Sequence, residues 1–535
     1  TLHYTHLGAT VGSDQTASVS LAAGQLADFA VSWTPPTTDH EGYLVQATLT
    51  DSAGAVLDTS QTAVDVSSDW TEFPRYGFVT DFNDDYDQNL IADRLNLYHI
   101  DGVQFYDWEN KHHVPLAGSV ASPSSSWVNI DNITNYAHSV SSLIADIHEH
   151  TGSAMNYNLI YGAWAGYGSD GSGVDYHQGL WWNNNCTNQG NFSLPASFAT
   201  PNIYFFNTGD TGWQTYLFGR EADAFSAYAF DGWQMDQLGT LVGSPVYTCS
   251  GTLVDPPTTF SGFITAAKAA LDKTIVFNAP GQYSQQDVAG NTNLAFLYTE
   301  SWPSNGQASY NDLRTVVTQN NTWSSDTKNT VIAAYPDQDY SANFTNAAPG
   351  FLNTAGVLYE DASIFASGAS HIELGDVDHM LDQPNYLNEN LRMEAPLQQA
   401  MVSYYNFITA YENLLRDGLS DSSNVITLPN GPTTSTNGAA RTVWTSARSK
   451  AGTDVLHFIN LLNLSGDDWM DTNADKPAPT TQTDLITKYY YGTGTPTSVS
   501  FASPDINGGA AEALSFTTGS DGGGSYVQFT LPSLG

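Results

Sequence analysis

Basic residues are scarce in this chain. Lysine and arginine number 15 against 55 aspartates and glutamates over 535 residues, giving a formal net charge of −40. Charged residues make up 13% of the sequence, about half the average of roughly 25%, so the imbalance is a shortage of base rather than a surplus of acid. Nucleic acids and anionic membranes both demand a basic patch, and neither is an expected partner. Exposure to acid selects such a shortage, because fewer cations limit self-repulsion once carboxylates protonate. High salt also disfavours lysine but usually adds acid, and fits less well. Cysteine is nearly absent too. Cys186 and Cys249 are too few for a disulfide framework or a metal knuckle, yet could form one bridge in an oxidising compartment or remain two unrelated thiols. No run of about 18 apolar residues occurs, which excludes a transmembrane helix of that kind. The chain opens at Thr1 with no charged and apolar leader, which reads as a signal peptide already removed and leads to the expectation of a secreted protein. No repeat of period 20–50 is visible.

What is present is aromatic: 13 Trp, 29 Tyr and 24 Phe, enough for large cores and for platforms on which sugar rings stack. The length implies two to four domains. Residues 1–72 carry period-2 segments, Ser18–Leu21, Leu26–Trp33, Tyr43–Leu49 and Thr62–Val66, and read as an immunoglobulin-like β-sandwich. Residues 73–417 alternate strand, polar loop and amphipathic helix. Eight strand candidates are Tyr76–Phe82, Gly102–Trp108, Ala154–Gly162, Gly232–Asp236, Thr274–Asn278, Ala295–Glu300, Val331–Tyr335 and His371–Leu374. The clearest intervening helices are Asn135–His150, Trp213–Ala227, Phe260–Leu271 and Tyr310–Asn320. Eight such units predict a (β/α)8 TIM barrel. A doubly wound sheet would usually show a Gly-rich phosphate loop after its first strand, and none is present. A helix pair, Leu391–Tyr404 into Phe407–Asp417, is expected to close the barrel wall. Residues 418–535 return to β patterning and read as a C-terminal β-sandwich.

Barrel enzymes carry their chemistry where strands end. The second strand ends at Gln104-Phe-Tyr-Asp107-Trp108, followed by His112 and His113. The fourth runs through Trp233 and Gln234 to Asp236 and Gln237, the sixth ends at Glu300 and Trp302, and the eighth at Glu373 and Asp376. Carboxylates at four strand ends, with tryptophans beside three, suit an uncharged, ring-shaped ligand such as a sugar. Strands four and six lie two apart on the ring, so Asp236 and Glu300 can converge. A gap near 5 Å serves a nucleophile and an acid/base, whereas about 6.5–9.5 Å leaves room for an inverting water. Each carboxylate could equally be a cap or an ion-pair partner.

Four segments resemble the signatures of glycoside hydrolase family 66, the dextranases and cycloisomaltooligosaccharide glucanotransferases. They are Asp101-Gly-Val-Gln-Phe-Tyr-Asp-Trp-Glu-Asn-Lys-His-His113, Asp231-Gly-Trp-Gln-Met-Asp-Gln-Leu-Gly239, Tyr298-Thr-Glu-Ser-Trp-Pro303 and His371-Ile-Glu-Leu-Gly-Asp376. The stretch 404–418 is similar to the family as well. The resemblance implies Asp236 as nucleophile, Glu300 as general acid/base, and Asp107 as a substrate-binding carboxylate. It implies a dextran or isomaltooligosaccharide substrate. The cyclising members typically carry a family 35 carbohydrate-binding module in the late barrel. Only about 35 residues separate Tyr335 from His371 here, which favours the dextranase type.

Around these three, further contacts to sugar are expected from Trp108, His112, His113, Trp164, Trp233, Gln234, Gln237, Asn278, Trp302, Glu373 and Asp376. The histidines could instead brace their loop, the tryptophans could be packing residues, and Glu373 and Asp376 could tie the last strand to its neighbour. Without a third clustered ligand beside the histidines, no metal is expected, nor any cofactor, and the protein is expected to be a monomer. The loop Gly179–Cys186 reads as part of the active-site face, pinned if Cys186 and Cys249 pair. Glycosylation sequons begin at Asn132, Asn185, Asn191, Asn320, Asn343 and Asn463 and are incidental in a prokaryotic protein.

Overall fold

A computed structural model describes every residue except Tyr86, Val242, Gly243, Ser244 and Ala451. The chain forms two compact units. One comprises 74–351 with 369–392, the other 1–73 with 352–368 and 393–535.

The first unit is built on eight parallel strands: β1 (Tyr76–Val79), β2 (Gly102–Phe105), β3 (Ser153–Leu159), β4 (Gly232–Asp236), β5 (Thr274–Asn278), β6 (Leu297–Glu300), β7 (Thr330–Ala333) and β8 (Ser370–His371). They hydrogen-bond in sequence order as one sheet. That order closes nearly into a barrel: the Phe78 amide donates to the Leu374 carbonyl at 3.1 Å, and both the amide and the hydroxyl of Thr80 donate to Asp376 Oδ2 at 2.8 Å. All eight expected strands are present, several shorter at their ends. At Leu159 the third leaves the barrel, and Gly162–Trp164 joins Asn191–Ser193 and Asn202–Phe205 in a separate antiparallel sheet.

Helices α1 (Gln88–Leu97), α2 (Ala137–Glu149), α3 (Thr211–Ala227), α4 (Pro257–Leu271), α5 (Gln285–Ala289) and α6 (Tyr310–Ser324) fill the connections. Their ends follow local chemistry. Asp210 caps α3 by accepting from the Gly212 and Trp213 amides, proline opens α4, and Ser309 with Asp312 forms a capping box on α6. The buried stripe of α3, Trp213, Leu217, Phe218, Glu221 and Ala224, has helical spacing but one charged member, Glu221, which reaches β3.

In the second unit, the N-terminal sheet has four strands, in the order Ala9–Thr10, Leu2–His6, Glu41–Thr50, Val56–Val66. The strands expected at Ser18–Leu21 and Leu26–Trp33 do not form. Alternation makes a strand only where an edge and a core receive it, and Leu21, Leu26, Phe29 and Val31 all stay exposed; Trp33 is anchored, stacked on Tyr4 at 4.4 Å. The expected wall helix also differs. Leu391–Arg392 is a strand paired with Gly350–Phe351, and the helix Ala395–Ala410 belongs to the second unit, where it packs on the N-terminal sheet with the Asn406 amide donating to the Gln61 carbonyl. Its apolar face, including Leu397, Met401, Tyr405 and Ile408, needed a partner, and sequence alone could not say which. Toward the C-terminus, two four-stranded sheets share a core in which Val443 and Ala447 of one meet Leu485, Val527 and Phe529 of the other.

Candidate active site

Side chains alternate across a strand. On β4 this sends Gln234 and Asp236 inward and Trp233 and Met235 outward; the Gln234 side chain accepts from Tyr76 across the barrel interior at 3.1 Å, while Trp233 packs against Phe218 of α3 and Phe263 of α4. The same parity puts Tyr157 of β3, Asn278 of β5 and Glu300 of β6 at the barrel mouth.

There the side chains meet. Asp236 accepts from the Tyr157 hydroxyl at 2.6 Å and from Asn278 Nδ2 at 2.8 Å. The same Asn278 nitrogen donates its second hydrogen to Glu300 Oε1 at 2.6 Å. Two acceptors of one nitrogen lie within about 5.5 Å of each other, the sum of two hydrogen-bond lengths. Glu300 Oε2 accepts from Trp302 Nε1 at 3.1 Å. Burial and the Asp236 charge push the Glu300 carboxyl up to about 7. Burial also raises Asp236, opposed by the hydrogen bonds from Tyr157 and Asn278. One carboxyl thus carries donors that favour its ionised form, and the other is poised to hold a proton near neutrality.

Asp107 stands just past the end of β2, where burial first and then the neighbouring Asp131, Glu109 and Asp236 carboxyls hold its own carboxyl well above the usual carboxylate range. His112 and His113 brace the following loop. His112 Nδ1 accepts from Trp164 Nε1 at 2.7 Å, and burial lowers this imidazole to about 3, keeping it neutral. His113 Nε2 lies 3.0 Å from Asp170 and its Nδ1 accepts the Trp164 amide. A third donor group does cluster here: Asp107, Glu109 and His112 each offer an atom within 4.8 Å of the others. Trp164 occupies Nδ1 of His112, whose Nε2 lies 3.7 Å from Glu109 Oε1. Beside them opens a cavity of about 540 Å³ lined by Asn110, Lys111, Ser126, Trp127, Asn132 and Trp164.

Several expected sugar contacts turn out to be framework. Trp108 is wholly buried, its indole donating to Asn156 at 2.7 Å. Trp233 is equally buried. Gln237 folds back on its loop, accepting from the Gly239 amide and donating to the Asn278 carbonyl, and Gln234 is used inside the barrel. Glu373 lies 3.3 Å from His371, both about 1% exposed, and Asp376 ties the end of the barrel to Thr80. In each case the wrong strand face or a competing partner removes the side chain from the mouth. Cys186 and Cys249 are joined in a disulfide, next to the reciprocal backbone pair of Trp181 and Tyr247.

Residues 1–535 match the family described as Glycosyl hydrolase family 66. The chain belongs to that family. It is 30% identical, over an alignment of 651 positions, to a cycloisomaltooligosaccharide glucanotransferase of Niallia circulans, covering 96% of this chain and 66% of that protein. To a dextranase of Streptococcus salivarius it is 25% identical over 554 residues, covering 90% of this chain and 64% of the relative. The chain therefore spans slightly under two thirds of the length of these curated relatives. The crystal structure of a Paenibacillus sp. cycloisomaltooligosaccharide glucanotransferase complexed with cycloisomaltoheptaose superposes with a TM-score of 0.90 at 27% identity, covering all of this chain and 93% of that one.

Other members of this site are missing from the sequence-based expectation. Tyr157 carries the shortest hydrogen bond to Asp236. Tyr298 and Tyr386 share a hydroxyl contact of 2.5 Å, and Tyr106 stacks on Tyr386. Glu221 accepts from Asn156 and Asn158 beneath β3, and burial pushes it up to about 7. Strand parity could have flagged Tyr157, and a glutamate on the apolar stripe of α3 could have flagged Glu221. Asp131 and Tyr386 lie in loops with no such signal.

Proposed function

We propose that this protein is a retaining endo-hydrolase of α-1,6-glucan that releases isomaltooligosaccharides from dextran, secreted, with Asp236 as nucleophile and Glu300 as acid/base. The observation that carries the reading is the single Asn278 nitrogen joining both carboxyls, which keeps the two bonded oxygens closer than the roughly 6.5–9.5 Å that an inverting water needs and so supports the double-displacement route. In the first step Glu300 gives its proton to the glycosidic oxygen as Asp236 attacks the anomeric carbon. In the second, ionised Glu300 takes a proton from water, which displaces Asp236 and restores both groups. Trp302, half-buried and bonded to Glu300, is the aromatic best placed to meet a sugar ring. In the same reading, the N-terminal sheet is an immunoglobulin-like domain and the two C-terminal sheets are a β-sandwich.

Hydrolysis is preferred to transfer because the connection from β7 to β8 is short. The alignments agree in sense: those to the glucanotransferases run over 651 and 654 positions, that to the dextranase over 554, so the former include longer stretches without counterpart here. The second reading, a cyclising transferase, is favoured by the identity of 30% to the Niallia circulans protein. Incubation with dextran decides between them. Linear isomaltooligosaccharides that keep the α-anomer by NMR are expected. Chiefly cyclic products would move the assignment to transfer, β-anomers would refute the retaining route, and an active Asp236→Asn variant would refute the nucleophile.

A further inference from the structure

Glu221 is the charged residue on the buried stripe of α3, and it is 0% exposed. Both its oxygens accept, Oε2 from Asn156 Nδ2 at 2.6 Å and Oε1 from Asn158 Nδ2 at 2.5 Å. The two asparagines lie on the outward face of β3, either side of Tyr157, whose hydroxyl reaches Asp236 from the inward face. Each passes the contact on. Asn156 Oδ1 accepts from Trp108 Nε1 at 2.7 Å, and the Asn158 nitrogen gives its second hydrogen to the His112 carbonyl at 2.8 Å. Both arms end on the loop after β2.

The direction of each bond is set by the two ends. An indole N–H donates and cannot accept, and a carbonyl accepts and cannot donate. Trp108 thus turns the Asn156 oxygen toward itself and the Asn156 amide toward α3, while the His112 carbonyl fixes the Asn158 amide. Whatever stands between those amides must accept from both. A carboxylate does so; a glutamine would set one of its own amide hydrogens against another. The loop held in this way carries Asp107, whose backbone lies in the left-handed region at φ 48°, uncommon for a residue with a side chain. Elsewhere the turn is pinned by Asn129, donating to the Asp107 carbonyl at 3.1 Å, and by Trp127 and Asn135, donating to the Trp108 carbonyl at 2.7 and 3.0 Å. The Trp108 indole, lodged on Asn156, ties the same turn to β3 and α3.

We propose that Glu221 is a positioning residue, a buried anion that holds the loop 107–112 through Asn156 and Asn158 and so aims the Asp107 carboxyl at the substrate. The inference rests on the glycosidase reading above. Glu221 itself touches no sugar, being enclosed between α3 and the outward face of β3. Burying a charge is costly unless it is hydrogen-bonded, and burial does raise this carboxyl, to about 7, against the pull of the Asn158 and Asn156 amides. The role accounts for a glutamate at a position where helical spacing calls for an aliphatic side chain.

The test moves the charge across one hydrogen bond. In Glu221→Gln the Trp108 indole keeps Asn156 in place, so Asn158 must turn and release the His112 carbonyl. With circular dichroism fixing a temperature at which the protein is folded, kcat/KM on dextran is expected to fall about 10- to 100-fold, the scale of a misplacement of about 1 Å. Asn158→Ala cuts the same arm from its other end and is held to the same expectation. Asn156→Asp alone sets two carboxylates face to face and should lose at least as much. The double variant Asn156→Asp/Glu221→Gln restores every donor–acceptor pair: the new carboxylate accepts from Trp108 and from the new amide, whose oxygen accepts from Asn158. Its kcat/KM is expected to return to within about threefold of the wild type, and its Tm to rise above that of both single variants. A double variant no better than the singles in either measure overturns the directed chain. A kcat/KM within about threefold of the wild type in folded Glu221→Gln or Asn158→Ala overturns the positioning role, whatever happens to Tm. A wild type inactive on every glucan, with Tm recovered in the double variant, would sink the glycosidase reading and leave the buried brace standing.

Discussion

Asn278 offers the sharpest perturbation because one amide serves both proposed catalytic groups. Its nitrogen donates at 2.8 Å to Asp236 and at 2.6 Å to Glu300, and a hydrogen bond to a charged group is worth about 1.5–3 kcal/mol. In the displacement step Asp236 loses its charge while Glu300 gains one, so Asn278→Ala removes a ground-state contact from the first and a transition-state contact from the second. If only the Glu300 contribution is lost, kcat/KM falls about 10- to 200-fold. The pH profile must move as well. Both bonds favour the ionised form and hold each group down, so their removal raises Asp236, which must be ionised, and Glu300, which must be protonated. The acid and alkaline limbs both rise, by about one unit for each 1.4 kcal/mol lost. Initial rates on dextran across pH 3–9, with circular dichroism to verify folding, make the measurement. A fall of less than threefold with both limbs in place would refute the role given to Asn278.

With Asp236 contributing to the raised value of Glu300, carboxyl-labelled NMR should find Glu300 titrating near 7 in the wild type and lower in Asp236→Asn; an unchanged value would deny their coupling. Trp302→Phe, which removes a hydrogen bond that lowers Glu300, should raise the alkaline limb with little change in thermal unfolding. Trp233→Ala should do the reverse, costing about 3–5 kcal/mol in unfolding experiments as a cavity opens between α3 and α4, and its KM should stay near that of the wild type if the protein folds. Breaking the bridge between Cys186 and Cys249, which closes a loop of 63 residues, should lower stability by about 2–4 kcal/mol, read as a drop in Tm that reducing agent reproduces in the wild type.

How legible the site was depends on what each residue answers to. Asp236 and Glu300 end apolar strands of strict alternation, so period and parity alone aim them at the barrel mouth. The same rule, applied residue by residue, would have withdrawn Trp233, one position away on the opposite face. Trp108, Glu373 and Asp376 needed more. Their fates turn on partners 48, 2 and 296 positions away, Asn156, His371 and Thr80; packing by Trp108 and the tie made by Asp376 were among the alternatives that the sequence left open, whereas the pairing of Glu373 with His371 was not.

By itself, the sequence determined the eight-strand order of the barrel, the caps of its helices, the two carboxyls at the strand ends and the family. All of these are carried by short-range signals: alternation, helical spacing, turn chemistry and contiguous motifs. Tertiary structure decided the rest. It chose the N-terminal sheet as the surface for the helix Ala395–Ala410, left Leu26–Trp33 without a strand to pair with, joined Cys186 to Cys249, and brought Asn385 to Asp131. Burial and pairing depend on what lies within a few ångströms, and in a barrel those neighbours come from loops far apart in the chain.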